Sequence, residues 1–475
     1  MLFPTITFAI FFAIVLPLNW VFAPRPRHWR VFILIASYIF YGWWSAPFVL
    51  LLAGVSLWSQ AMVLVIDRTA TERARKIALA VAVAGDLGAL AYFKYTDFFL
   101  SSGLDALAHF GVAYNSPLPA ITLPVGISFF TFQALTYVVD TYRRQMRPVG
   151  WLDALVYISY FPHLVAGPIV RASEFMPQIA RRLDPRRLPV GRAYILILGG
   201  VFKKVVLSDL LSSRIVDPVF AAPKLHSAPE TLLAVYAYAA QIYCDFSGYT
   251  DIAIGIALLL GIRFPQNFDG PYTATSLRDF WRRWHITLSR FLRDYLYIPL
   301  GGNRKGTART YVNLMLTMLL GGLWHGASWT FVVWGGIHGT GLAVEHAGDA
   351  RRKRRGLPPY NPHGARRWVA RFITFQIVCI AWVFFRSTSF SNAWAMFESI
   401  FRNWGMASPL VTWSVVAATI VGIGVQYVPR VYLERLTERF GRLHPVAMGL
   451  TIAVCLIVTF NLGPEGVAPF IYFSF

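Results

Sequence analysis

Gly321-Gly-Leu-Trp-His-Gly-Ala-Ser-Trp329 is the stretch on which the reading of this chain turns. It sets an imidazole, His325, in the middle of a strongly apolar run. Tyr311 to Leu323 precede it and Phe331 to Val344 follow. Apart from His338, neither flank carries a charged or imidazole side chain before Glu345. Runs of this kind predict helices in a bilayer, where one crossing takes about 20 apolar residues. A histidine at that depth is costly unless it is paired or working. It is also the side chain best suited to take a proton near neutral pH. A purely structural role, hydrogen-bonded to a neighbouring helix, stays open.

The rest of the chain agrees with a membrane setting. Of 475 residues, 56% are hydrophobic and only 14% charged, with a mean hydropathy of +0.51. Soluble domains carry about 25% charged residues. The fold class expected is an all-α integral membrane protein with many spans. The formal charge is +21, from 44 Lys and Arg against 23 Asp and Glu. Those cations sit in short clusters between apolar runs, the pattern of cytosolic loops rather than of a nucleic-acid-binding domain. No nucleic-acid partner is expected; membrane lipid headgroups and an anionic cytosolic ligand are. Cys244, Cys379 and Cys455 lie far apart in apolar surroundings, which predicts neither a disulfide framework nor a metal site.

Candidate spans fall at 2–23, 31–47, 48–67, 76–96, 121–140, 151–170, 193–210, 230–262, 311–323, 326–345, 367–386, 411–428 and 445–463. Some must be re-entrant or broken, leaving about 11 full crossings in a single polytopic domain over 1–475, with a catalytic core near 121–345. The run 151–170 holds Pro162, His163, Gly167 and Pro168 and predicts a half-helix, with His163 as a structural histidine. Breaks at membrane depth are tolerated where they face protein or water, so a buried cavity is expected. Arg25, Arg27 and Arg30 follow the first span, and Arg68, Arg73, Arg75 and Lys76 follow two more. Both loops are placed in the cytosol and the N-terminus outside. The run Leu2 to Ala23 lacks a preceding positive region and reads as a first span, not a cleaved signal. Stretch 348–366 is the candidate mobile cytosolic loop.

Two further constellations stand out. Arg278 to Tyr297 is basic, aromatic and amphipathic. At helical spacing Trp281, His285 and Ser289 share one face. An interfacial helix at the headgroups explains its arginines. Arg282, Arg283, Arg290 and Arg293 can equally hold the phosphates of a nucleotide-bearing donor. His285 is harder to assign to lipid anchoring. The other constellation is Tyr243-Cys-Asp-Phe-Ser-Gly-Tyr-Thr-Asp251, in which Asp245 either orients a catalytic residue or pairs with an arginine, the structural role being favoured. Trp324, Trp329 and Ser289 are further candidates for supporting the site. His338 lies 13 residues beyond His325, which on one continuous helix is about 220° of rotation. The two are therefore expected on different faces.

An intramembrane histidine with a polar helper and a basic cytosolic rim suits acyl transfer. The imidazole takes the proton of an acceptor hydroxyl, whose oxygen attacks a thioester. A second group such as His285 steadies the acceptor or the developing charge. No Gly-x-Ser-x-Gly elbow occurs, so direct transfer is the simpler route. The rivals are a transporter or flippase using buried His and Asp as a proton relay, and a non-catalytic scaffold.

The residues reached so far resemble the membrane-bound O-acyltransferase (MBOAT) family, most of all its branch for bacterial alginate O-acetylation. The likeness rests on Ile35-Ala-Ser-Tyr-Ile-Phe-Tyr41, Tyr92-Phe-Lys-Tyr95, Leu123-Pro-Val-Gly-Ile-Ser-Phe-Phe-Thr-Phe132 and Phe161-Pro-His-Leu-Val-Ala-Gly-Pro168. It continues through Asp245-Phe-Ser-Gly-Tyr249, Phe280-Trp-Arg-Arg-Trp-His285, Arg293-Asp-Tyr-Leu-Tyr297, Leu319-Leu-Gly-Gly-Leu-Trp-His-Gly326 and Pro469-Phe-Ile-Tyr-Phe-Ser-Phe475. The resemblance implies a ring of helices around a central funnel, with His325 as the catalytic histidine and His285 as the second polar position. It implies acetyl-CoA as a cytosolic donor, with no permanently bound cofactor. It also implies an exopolysaccharide as final acceptor, periplasmic relay proteins as partners, and the bacterial inner membrane as location. Teichoic acid and cellulose are alternative acceptors. The segment Arg430 to Arg442, before the last span, is shorter than in the alginate branch and leaves partner and polymer open.

Overall fold

A computed structural model describes residues 1–111, 121–165, 167–464, 468, 470 and 471. These residues form helices and connecting turns, with no strand among them. They divide into two compact units, Met1–Leu188 with Ile256–Phe264, and Pro189–Gly255 with Pro265–Phe475.

The first unit contains α1 (Ile6–Phe22), α2 (Pro26–Gly42), α3 (Ala46–Arg68), α4 (Glu72–His109), α5 (Ile127–Tyr142), α6 (Trp151–Ser159), α7 (Phe161–Leu164) and α8 (Ala172–Ile179). Its starts follow local chemistry. Thr71 Oγ1 accepts from Ala74 N at the head of α4, and Pro26 occupies the first turn of α2, where no intrahelical N–H is lost. Polar groups among these apolar helices are tied to one another, as a lipid environment requires. Tyr137 donates to Gln60 Oε1 at 2.7 Å, Gln60 Nε2 to the Val149 carbonyl at 2.8 Å, and Ser59 to Asp86 at 3.1 Å. The run 151–170 breaks at Tyr160, between α6 and α7, as its two prolines and its glycine predict. His163 donates from Nε2 to the Tyr157 carbonyl at 2.8 Å and stacks on Phe264. That is the packing of a structural histidine.

The second unit begins with α9 (Val190–Phe202), which winds on through wide π turns at Lys203–Ser208 and Ser212–Val216, on either side of α10 (Asp209–Leu211), to α11 (Asp217–Ala221). Helix α12 (Ala228–Leu259) follows, its last turn counted with the first unit. Asp245 and Gly248 do not interrupt it. Then come α13 (Leu277–Arg283), α14 (Ile286–Phe291), a π turn at Leu292–Tyr297, α15 (Thr307–His325) and α16 (Trp329–Arg354). The chain closes with α17 (Ala365–Arg386), α18 (Phe390–Arg402), α19 (Trp413–Gly424), α20 (Arg430–Gly441) and α21 (Pro445–Leu462). Because α16 runs to Arg354, the candidate mobile loop shrinks to residues 355–364. The segment before the last span is a helix, α20, bent 91° from the preceding one.

Helices α15 and α16 form an antiparallel pair with main chain against main chain. A Cβ on Gly322 would stand 2.3 Å from the Phe331 carbonyl oxygen, and one on Gly335 would stand 2.3 Å from that of Met318. Only glycine permits such an approach, the way small residues bring membrane helices together.

By length and composition five helices can cross a membrane, α3, α4, α12, α17 and α21, or six if the bent pair α19–α20 is one span. The chain is an all-α, multi-pass membrane protein.

Candidate active site

His325 is the last residue of α15. Gly326 follows in an extended conformation, and Ser328 caps α16 by accepting from Thr330 N. The helix is thus broken between the two halves of the opening motif, and a Cβ at Gly326 would collide with the Phe331 ring at 2.1 Å. This break overturns the rotation argument for His338. The chain reverses direction, and both histidines lie against Trp334, each with its ring centroid 4.9 Å away. His325 is buried among Trp324, Trp334 and Phe385, at 5.0, 4.9 and 5.3 Å.

The segment 278–297 is likewise not one helix. Glu345 of α16 holds the start of α13 by accepting from the N–H groups of Leu277 and Arg278, at 2.5 and 3.1 Å. Ser276 adds a side-chain cap. α13 ends at Arg283, and His285 takes a left-handed conformation, φ 42° and ψ 54°, before α14 begins. Trp281, His285 and Ser289 therefore do not share a face as a continuous helix would place them. Trp281 packs on Trp334 and His338, His285 packs on Phe246 and Trp324, and Ser289 donates back to the Trp284 carbonyl at 3.3 Å.

The outcome is a buried path of alternating rings. His285 meets Trp324 at 6.1 Å, Trp324 meets His325, His325 meets Trp334, Trp334 meets His338, and His338 meets Trp281 at 5.2 Å. Trp324 is the ring that both His285 and His325 touch. Trp329, by contrast, is exposed in the first turn of α16.

Two of these imidazoles have their tautomers fixed by partners with a single role. The indole N–H of Trp281 can only donate, and it donates to His338 Nδ1 at 3.3 Å. His338 then carries its proton on Nε2. His285 Nδ1 lies 3.1 Å from Asn267 Oδ1. That oxygen also accepts from Thr287 N at 3.1 Å and Thr287 Oγ1 at 2.9 Å. Sequence reading passed over Asn267 and Trp334, and took Trp281 only as a neighbour of His285 on a continuous helix. Asn267 is recruited from a loop 18 residues upstream, a pairing with no local spacing to reveal it.

Asp245 is buried and paired, though with a lysine rather than an arginine. Lys204 Nζ lies 2.7 Å from Asp245 and 2.8 Å from Asp209, and Ile471 N donates to Asp245 at 2.8 Å. The next residue, Phe246, stands edge-on to His285 at 4.7 Å. Of the closing stretch 469–475, Phe470 and Ile471 are described and the others lie outside the described residues. Of the four arginines suggested for donor phosphates, Arg283 is bound to Asp279 at 2.8 Å and to the Asp269 carbonyl at 3.2 Å, and Arg293 to Asp294 at 2.6 Å. Arg282 is exposed and Arg290 half-buried. No cluster of three or more metal-ligating side chains occurs among the described residues.

A multi-pass helical protein that buries several imidazoles at a helix break has the build of a membrane-embedded enzyme handling protons away from water. The sequence model described as MBOAT, membrane-bound O-acyltransferase family, matches residues 31–391. The chain belongs to that family and is a membrane-bound O-acyltransferase. It is 42% identical over 377 residues to the probable alginate O-acetylase AlgI of Pseudomonas aeruginosa, covering 79% of this chain and 70% of that protein. It is 38% identical over 403 residues to the peptidoglycan O-acetyltransferase of Helicobacter pylori, covering 78% and 73%. A more distant likeness, 28% over 283 residues, joins it to the teichoic acid D-alanyltransferase of Streptococcus thermophilus, covering 55% and 68%.

Proposed function

We propose that this protein transfers an acetyl group from cytosolic acetyl-CoA for the O-acetylation of an exopolysaccharide of the alginate kind. It does so in the bacterial inner membrane, with periplasmic proteins completing the delivery. The relatives are named for alginate O-acetylation, peptidoglycan O-acetylation and teichoic acid D-alanylation, and the first two of these are acetyl transfers. The observation that carries the reading is His325 itself. It is a buried imidazole at the broken end of α15, in contact with the indole that also touches His285.

In this reading His325 is the general base. It accepts the proton of an acceptor hydroxyl as that oxygen attacks the thioester carbonyl. The C–S bond then breaks, and the departing thiolate takes the proton back from the imidazolium. His285 steadies the acceptor. Arg282 is the arginine best placed to meet donor phosphates, because it is exposed while Arg283 and Arg293 already hold carboxylates.

The transporter reading would need Asp245 as a titrating relay. Its clamp between Lys204 and the Ile471 N–H favours a structural role instead. The test is acetyl-CoA consumption by the purified protein, with mass spectrometry of exopolysaccharide from a deletion strain. His325→Ala should abolish acetyl transfer while the protein still folds. Full activity in that variant removes His325 as the base, and unaltered polymer acetylation in the deletion strain removes the proposed acceptor. Solute movement into vesicles without thioester consumption would establish the transporter.

A further inference from the structure

His285 and Asn267 hold an arrangement that the acyl-transfer reading does not use. The side-chain oxygen of Asn267 accepts from the backbone N–H of Thr287, a group that can only donate. Turning the amide over would set its NH2 against that N–H. The Asn267 amide is therefore fixed with oxygen toward His285 and Thr287. An oxygen facing Nδ1 requires Nδ1 to carry the hydrogen. The loop is held there by its main chain as well, since Ile286 N donates to the Asn267 carbonyl at 2.9 Å and Asp269 N to the Arg283 carbonyl at 2.9 Å.

In the neutral imidazole Nε2 is then a bare lone pair. Nε2 is buried and meets no hydrogen-bond partner among the described residues. The imidazole as a whole lies among the rings of Phe246, Phe268 and Trp324. A buried acceptor left unsatisfied is costly, so this atom is reserved for a group that arrives with a hydrogen.

We propose that Asn267 is a positioning residue that locks His285 as the Nδ1–H tautomer, so that His285 Nε2 accepts a hydrogen bond from a hydroxyl of the acyl acceptor. This settles which way His285 steadies the reaction. It orients a hydroxyl and does not donate to developing negative charge. A sugar presents neighbouring hydroxyls, so one can rest on His285 while the next gives its proton to His325. The substrate half of the proposal rests on the acyl-transfer reading; the tautomer does not.

The experiment uses the full-length protein in nanodiscs, carrying nitrogen-15 histidine, by solid-state NMR. The His285 signals are assigned by their loss in His285→Gln. A protonated Nδ1 and a bare Nε2 are expected in the wild type and in Asn267→Asp, which keeps an acceptor oxygen. Asn267→Leu, close in size and without an acceptor, should mix the two tautomers. In acetyl-CoA turnover Asn267→Leu should lower kcat roughly tenfold or more, with donor KM within about twofold of wild type, and Asn267→Asp should recover most of the loss. A wild-type His285 protonated on Nε2 overturns the proposal, as does an unchanged tautomer and kcat in a folded Asn267→Leu. Should Asn267→Leu fail to fold, the wild-type spectrum and Asn267→Asp decide. Absence of acetyl-CoA turnover in the wild type would defeat the donor assignment and leave the spectrum still decisive for the tautomer.

Discussion

His325 and His338 sit against the same indole, Trp334, although 13 residues separate them in sequence. The break at Gly326 to Ser328 folds the second helix back along the first and brings the two imidazoles to one ring. His338 is therefore a member of the buried ring path, with its proton placed by Trp281.

That placement can be tested at Trp281. Trp281→Phe keeps an aromatic ring against Trp334 and His338 but removes the N–H that donates to His338 Nδ1. The loss should lower stability by about 1–3 kcal/mol, the cost of stranding a buried acceptor. Chemical denaturation in detergent measures it, and stability equal to wild type would show that the hydrogen bond contributes nothing.

The glycine contacts make a sharper contrast. Gly335→Ala drives a Cβ into the Met318 carbonyl, whereas at the adjacent Gly336 the added atom meets only Leu319 Cδ2, at 3.8 Å. Gly335→Ala should destabilise by at least the ~1–3 kcal/mol typical of overpacking and should reduce acyl transfer by shifting His325. Gly336→Ala should resemble the wild type in both thermal unfolding and turnover. Equal behaviour of the two would refute the close-approach account.

The lysines at the α9 turn divide in the same way. Lys204 is buried between Asp209 and Asp245, while Lys203 pairs with the more accessible Asp251 at 2.5 Å. Removing one partner of a buried pair strands the other charge and costs about 3–5 kcal/mol. Lys204→Met strands two carboxylates and should prevent accumulation of folded protein, as seen by size exclusion of the solubilised chain. Lys203→Met should give folded protein of moderately lower stability.

Among the arginines the predictions concern binding. Arg282→Ala should raise donor KM by about tenfold with kcat unchanged, the signature of one lost charge-assisted contact to phosphate. Arg283→Ala should instead lower stability, because Arg283 ties Asp279 to the Asp269 carbonyl. An unaltered KM for Arg282→Ala would remove it from the donor site.

The helices and the membrane class were legible in the sequence because burial in lipid demands long apolar runs, and most boundaries fall within a few residues of the expected ones. His325 was legible for the same reason, as an imidazole where lipid disfavours one. What composition could not show was how the chain turns at its breaks. The left-handed turn at His285 and the break after His325 depend on tertiary contacts, the first with Asn267 and the second with Phe331. The assumption of a continuous helix therefore failed at Trp281–Ser289, and the rotation argument for His338 failed because it carried one helix across the break that the expected spans 311–323 and 326–345 already flank. Asn267 escaped notice because nothing near it in sequence needs an amide. Its purpose exists only once the chain has returned to it.

The glycine-to-carbonyl contacts between α15 and α16 bear finally on motion. Two helices that touch through their main chains have no side chains there to repack, and sliding one past the other would drive backbone into backbone. The pair carrying His325 and His338 therefore moves as one rigid stave. The loop bearing Asn267 is fastened separately, by Arg283 and by the ion pair of Arg430 with Asp269.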